Sequence, residues 1–463
     1  MGNKRLIFSL NGPGGALAKP HIKLCSLSCG RIMTQANDIP RVPLRDRIGS
    51  FLSERRALLR DYFSAVSGSA GRLIFSLIYF VALANTLSIA DFGLFATASA
   101  AGVMLSRTLA FGFISALYRT ATIRPRLIGS YTAGFLMLAL LSLPVLVAAS
   151  ALTWLLFFST TLPAGIFAIV IFAEALLWRP VEVAMIVNNG LGRFGRAATL
   201  AILTAAIKAA AAALFVFWPT PTLEAWAWFY VASNVVSLAL AFGVFYPRQK
   251  LRLTPYLYWR RLSDSIYVAS AEVLFYLQME FDKLLVLAMG GPHLAGIYAI
   301  VMRLVDLTAI PIRTFSMMLV QRMMRAPQML ERLKVKIGIE AGILVVSTSA
   351  LLFLAVVLHF YPNFLGRNVS EAAPLVGLAL FVPALRNLVE YHAELLFARG
   401  QTLIRAGNLA LLAALKAALL SSLLLQVADT QTLVWSLNGM FALLYLASAA
   451  VTYTALRRPA KAI

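Results

Sequence analysis

The sequence predicts an all-α integral membrane protein of about 12 transmembrane helices in two parallel six-helix repeats, and three observations predict it. Of the 463 residues, 60% are hydrophobic, and from about Ala65 onward they gather into twelve runs. Each run reaches the length of about 20 apolar residues that a ~30 Å hydrocarbon core requires at helical rise. The second observation is where the basic residues fall. The two tails and the even-numbered connections hold roughly three-quarters of the 41 Lys and Arg, while Arg367 stands alone on the other side, and such a bias fixes orientation during insertion. A cytoplasmic (inner) membrane location with both termini in the cytoplasm follows as the expectation. The third observation is internal repetition, taken up after the elements themselves.

The spans fall near 67–88, 92–117, 129–153, 163–188, 197–218, 225–246, 265–289, 294–319, 337–360, 373–397, 405–426 and 433–455. Each reads as helix because its apolar run is continuous and lacks the alternation of a barrel strand. Within lipid, every backbone group must also be bonded inside its own segment. Pro144, Pro180, Pro311 and Pro383 lie inside the third, fourth, eighth and tenth spans, where membrane helices tolerate them and can kink. Pro180 and Pro383 each neighbour a charged residue, so local unwinding is expected there.

The order of parts is a basic tail at 1–64, a first bundle at 65–247, a basic linker at 248–264, a second bundle at 265–456 and a short cytoplasmic tail at 457–463. The linker holds Arg248, Lys250, Arg252, Arg260 and Arg261. Arg322, Arg325, Arg332, Lys334 and Lys336 make a similar loop after the eighth span. Insertion alone explains these clusters, with attraction to anionic headgroups of membrane lipids a secondary effect. The net charge of +22 is therefore no sign of nucleic-acid binding. The tail at 1–64 has 11 basic and four acidic residues but no signal-peptide core. Leu6 breaks the myristoylation pattern. Cys25 and Cys29, even with His21 near, lack the ligand number of a metal site and read as free thiols. The tail is expected to be disordered, and Met33 offers a second start.

The repeat divides the twelve spans into two sixes. Asp91-Phe92-Gly93-Leu94-Phe95 opens the second span, and Ala295-Gly296-Ile297-Tyr298 opens the eighth at an offset of 203. Gly190, Arg196 and Lys208 recur as Gly400, Arg405 and Lys416, and Arg179 with Glu182 answers to Arg386 with Glu390. With six helices per repeat, both halves enter from the same side, which makes the repeats parallel.

On these residues the chain from about 65 to 455 resembles the polysaccharide transport flippases of the multidrug/oligosaccharidyl-lipid/polysaccharide exporter superfamily. The first-half motif is Leu87-Ser88-Ile89-Ala90-Asp91-Phe92-Gly93-Leu94-Phe95, with Phe95 where the family has Tyr. The second half has Asp282-Lys283, Gly290, Gly296-Ile297-Tyr298-Ala299 and Arg303. The resemblance implies two six-helix bundles around a central cavity that opens alternately to each side. It also implies a polyprenyl-pyrophosphate-linked oligosaccharide as cargo for polysaccharide assembly, with a polymerase and glycosyltransferases as partners and no cofactor.

The intramembrane charges supply candidate site residues, because a charge deep in lipid costs at least a few kcal/mol unless it meets water or a partner. Arg303, Asp306 and Arg313 share one face of the eighth span, and Arg386, Glu390 and Glu394 one face of the tenth. Glu272, Tyr276, Glu280 and Lys283 align on the seventh. Helical spacing pairs Arg303 with Asp306, Arg386 with Glu390, and Arg179 with Glu182. That leaves Arg107, Lys208, Arg313 and Lys416 unpaired and available to a pyrophosphate. Arg72 and Arg119, at span ends, are expected to snorkel. The cavity bases are thus Arg107, Lys208, Arg303, Arg313, Arg386 and Lys416. Glu174, Glu182, Glu272, Asp306 and Glu390 are candidates for ion coupling or charge pairing. Tyr276, Phe275, Tyr391 and Tyr298 are aromatic candidates for sugar stacking.

An enzyme is disfavoured, since no sizeable outer loop presents acids and no phosphate-binding loop is present. His293, His359 and His392 stand apart in sequence, without metal spacing. The nearest rival is a cation-coupled multidrug or metabolite antiporter of the same superfamily. It needs a buried carboxylate in the first bundle, where only Glu174 and Glu182 qualify, and both could be spent on Arg179.

Overall fold

The computed structural model describes residues 71–325, 333–427 and 429–457. Within these stretches the side chains at 310–311, 313–318, 320–325 and 333 are not among those described. The expected disordered tail, Cys25, Cys29, His21 and the end of the C-terminal tail lie outside the described residues.

Nine helices among the described residues are long and apolar enough to cross a bilayer, and Arg367–Ala379 with Val382–Ala398, bent by 64°, makes a tenth. Gly71–Thr86 is a further apolar helix. The helix Pro255–Arg325 is interrupted at Gly291, whose φ of 79° suits a residue without Cβ. The chain folds back there, because the Tyr298 hydroxyl donates to Asp282 at 2.7 Å across 16 residues of sequence. The twelve expected spans are therefore present as helices, in two bundles of six.

Departures from straight helix fall where backbone groups find other partners. The second span, beginning Ile89–Ser106, breaks at Leu109–Gly112 and resumes as Ile114–Ile123. Ala110 and Phe111 hold positive φ there, and the Ala110 amide donates to the Ser142 hydroxyl of the third span at 2.9 Å. The fourth span widens into a π-helical turn at Phe172–Trp178, just before Pro180. The tenth breaks through a 3₁₀ turn at Gly377–Ala379, just before Pro383. Pro383 thus follows a break in its helix, whereas Pro180 follows a widened turn in a helix that stays continuous over Ala164–Gly190. Pro144 lies within the unbroken helix Ile128–Phe157.

The bundles meet at the second and eighth spans. A Cβ added at Gly93 would lie 2.5 Å from the Pro292 carbonyl oxygen, and one at Gly296 would lie 2.0 Å from that of Ile89. At the same end, Asn85 donates to the Leu365 carbonyl at 2.7 Å. Asn368 donates back to the carbonyls of Ala84 and Leu87 at 2.9 and 2.7 Å. This is the end whose loops are poor in basic residues.

Candidate functional site

Residues of the first, second, fourth, fifth and sixth spans line a cavity of about 310 Å³, together with residues of the seventh and eighth. Arg72, Lys208, Lys283 and Arg303 line it, together with Glu174, Glu280 and Asp306. The π-helical turn brings Glu174 and Trp178 into the lining.

The acids on this wall are engaged. Glu280 pairs with Lys283 at 2.5 Å. Asp306 receives Arg386 from the tenth span at 3.2 Å. Glu174 accepts the hydroxyls of Ser99 at 2.5 Å and Tyr230 at 2.6 Å. Tyr230 in turn accepts from the Lys208 ammonium at 3.1 Å, which also lies 3.9 Å over the Trp178 ring. Arg72, Lys208 and Arg303 make no ion pair among the described residues. Three bases without an ion pair among the described residues therefore face one cavity.

Beside it lies a chain of charges joining the bundles. Arg107 forks onto Glu182 at 2.9 and 3.3 Å and stacks 4.0 Å over the Tyr276 ring. Arg179 meets the same Glu182 at 2.8 Å and reaches Glu272 of the seventh span at 2.9 Å. One carboxylate shared by two guanidiniums, with a second carboxylate beyond, keeps buried Arg107 and Arg179 neutralised.

Several sequence expectations need correction. Arg107 is paired, with Glu182 on another span. Lys416 is buried against Asp282 at 2.7 Å and the Gln278 carbonyl at 2.9 Å, away from the cavity. Arg303 does not pair with Asp306, whose partner is Arg386. Intrahelical spacing failed because a buried guanidinium on a neighbouring helix competes for the same acid, and Arg386 is 4% exposed. Arg386 also lies 3.9 Å from Glu390, the pair that spacing suggested, and Arg179 keeps its expected Glu182. Arg72, expected only to snorkel, belongs to the cavity wall. Tyr276 and Tyr298 are engaged by Arg107 and Asp282. The side chain of Arg313 lies outside the described residues.

Sequence reasoning missed a second cluster. His392 is not isolated but buried against Glu340 at 3.1 Å, with Tyr445 and Tyr453 on the same carboxylate. Its members come from three different spans, so no local pattern could reveal it. Among the described residues, no group of three or more His, Cys, Asp and Glu could hold a metal ion. A larger groove of about 950 Å³ on the second bundle is lined without charge, by residues such as Phe381, Trp435 and Leu443.

No family model matches the sequence, and no curated protein matches it significantly. Solved structures do share the fold. An inward-facing multidrug resistance MATE family transporter of the MOP superfamily is 15% identical, with a TM-score of 0.64, over 84% of this chain and 96% of that chain. The MATE multidrug transporter DinF-BH is 15% identical with a TM-score of 0.60, over 86% of this chain and 95% of that chain. A MOP superfamily transporter from Pyrococcus furiosus, described as having a binding pocket of reversed polarity that suggests a different function, is 14% identical. Its TM-score is 0.59, over 87% of this chain and 96% of that one. The chain is a multi-pass membrane protein with the MATE-like two-bundle fold.

Proposed function

We propose that this protein is an alternating-access transporter of an anionic amphiphile, of the class of polyprenyl-pyrophosphate-linked oligosaccharides, moved outward across the cytoplasmic membrane for polysaccharide biosynthesis. One observation supports it above the rest: Arg72, Lys208 and Arg303 face a single cavity and make no ion pair among the described residues. A charge about 6 Å from another interacts by about 3 kcal/mol at an effective dielectric of 20. The three bases would thus attract a pyrophosphate and repel a cationic drug. Arginine gives the forked contact and lysine the point charge that phosphate oxygens accept. About 310 Å³ is at the small end of ligand pockets, enough for a headgroup and little more. A longer saccharide requires the bundles to part.

The second reading is a cation-coupled multidrug or metabolite antiporter, and the named activities of the solved neighbours favour it. Buried Glu174, held by Ser99 and Tyr230, is the carboxylate such coupling would use. The Pyrococcus furiosus protein indicates that one fold accommodates cavities of differing polarity.

Native mass spectrometry of the purified protein separates the two readings. Undecaprenyl pyrophosphate is expected to bind, a neutral polyprenol not, and Arg303→Gln to weaken binding about 10- to 100-fold, the worth of a charge-assisted hydrogen bond. Retention of a lipophilic cationic dye together with indifference to the pyrophosphate lipid would establish the antiporter reading instead.

A further inference from the structure

The second bundle contains a polar cluster that the cavity does not use. Glu340 of the ninth span sits among His392 of the tenth and Tyr445 and Tyr453 of the twelfth. Its side chain is 12% exposed and that of His392 is wholly buried. Tyr445 donates to one carboxylate oxygen at 2.9 Å. Tyr453 and the His392 Nε2 meet the other, the imidazole at 3.1 Å. On its far side, His392 Nδ1 lies 3.2 Å from the Ser448 hydroxyl, which also accepts the Asn408 amide of the eleventh span at 3.2 Å. The imidazole stacks on Tyr445, with centroids 5.4 Å apart.

The imidazole and the carboxylate keep their partners in two protonation states. With His392 neutral, Nε2–H donates to the carboxylate and the Ser448 hydroxyl donates to Nδ1. With His392 charged, both ring nitrogens donate. Ser448 then accepts from Nδ1 and from Asn408 on its two lone pairs, and its own hydrogen needs another acceptor. Among the described residues, the remaining ionisable groups near the pair are Lys336 on the ninth span, 5.4 Å over the Tyr453 ring, and Tyr391 on the tenth, with Arg399 beside Lys336. A metal cation fits poorly, because the tyrosine hydrogens and the imidazole N–H all point at the carboxylate.

We propose that Glu340 and His392 form a proton-binding site in the second bundle. On the transporter reading above, on which this last step rests, the proton exchanged there drives the bundles between states. The site lies apart from the cavity and joins the ninth, tenth, eleventh and twelfth spans, so its charge acts on how that bundle packs.

The test is nitrogen NMR of histidine-labelled full-length protein in bilayers, with the His392 signal identified by its loss in His392→Gln. We expect it to report both the neutral and the charged imidazole as pH is varied, and Glu340→Gln to change its proton affinity about tenfold or more. Tyr453→Phe, which keeps the ring, is expected to change it by a smaller factor and serves if Glu340→Gln fails to fold. An imidazole that stays neutral throughout, or that titrates identically in the variants, overturns the site. If His392 titrates but His392→Gln keeps the wild-type pH profile of transport in proteoliposomes, the coupling is overturned while the cavity reading stands. If the titration holds but undecaprenyl pyrophosphate fails to bind, the cavity reading alone is lost.

Discussion

Lys208 and Lys416 occupy equivalent places in the two repeats, yet one faces a cavity and the other is sealed in a core. The offset of 203 that aligns the repeats gives the reason. Asp282, partner of Lys416, corresponds to 282 − 203, which is Tyr79, and Tyr298 corresponds to 298 − 203, which is Phe95. The first half thus lacks both the carboxylate that holds Lys416 and the hydroxyl that bonds to that carboxylate. Tyr230 supplies a hydroxyl from another direction and packs its ring edge-on to Phe95 at 5.2 Å. Broken symmetry leaves Lys208 on the cavity. Removing Lys416 would strand Asp282, which is 1% exposed on its side chain. Loss of one member of such a pair costs about 3–5 kcal/mol. Lys416→Ala should therefore melt far below wild type in fluorescence-detected size exclusion, whereas Lys208→Ala should fold normally and bind the anionic lipid weakly. Equal melting of both variants with wild type would contradict this division. The positions of these lysines were legible in the sequence, but their partners were not. A run of apolar residues announces a helix by itself, whereas an ion pair such as Arg107 with Glu182 depends on how two helices are packed.

Elements were the most legible level, and their breaks were legible only in part. Pro180 and Pro383 signalled the π-helical turn and the 64° bend. The break in the second span carries no proline, and it persists because Ser142 of the third span bonds the freed amide, a contact invisible in either segment alone. The crossing of the second and eighth spans has another origin. Gly93 approaches Pro292 and Gly296 approaches Ile89, and 89 + 203 is 292 while 93 + 203 is 296. The contact is reciprocal, like an isologous interface at a two-fold axis. Small residues allow the backbones this approach. A methyl at Gly296 would meet the Ile89 carbonyl oxygen at 2.0 Å, so one helix must shift. Gly296→Ala should cost about 1–3 kcal/mol, the range for overpacking. Gly342→Ala, with nothing within 4 Å in a helix interior, should be neutral or stabilising by up to about 1 kcal/mol. Thermal melting of the two variants side by side checks this, and equal effects would refute the crossing as a tight contact.

At the scale of the whole molecule, the two bundles touch at two places by different chemistry. The end poor in basic residues is held by the glycine crossing and by Asn85 and Asn368, each bonded to the other's neighbourhood. Beside the cavity, Arg107 on Tyr276 and Arg179 with Glu272 join the bundles through charge. Backbone contact between small residues and amide hydrogen bonds to carbonyls can part and re-form without stranding a charge in lipid. The Arg179–Glu272 contact can open too, since Glu182 stays with both arginines inside the first bundle and the Glu272 side chain is 40% exposed. Alternating access by rocking of one bundle against the other needs such separable contacts on both sides of the cargo. Tethering the asparagine end should therefore stop the cycle without emptying the cavity. With Asn85→Cys and Asn368→Cys joined by a short reducible cross-linker, transport in proteoliposomes should cease and return on reduction. Undecaprenyl pyrophosphate should still bind to the detergent-solubilised cross-linked protein within about threefold of the uncross-linked affinity, a difference of less than 1 kcal/mol. Undiminished transport by the cross-linked protein would show that this end stays closed throughout the cycle, and the rocking mechanism would have to be given up.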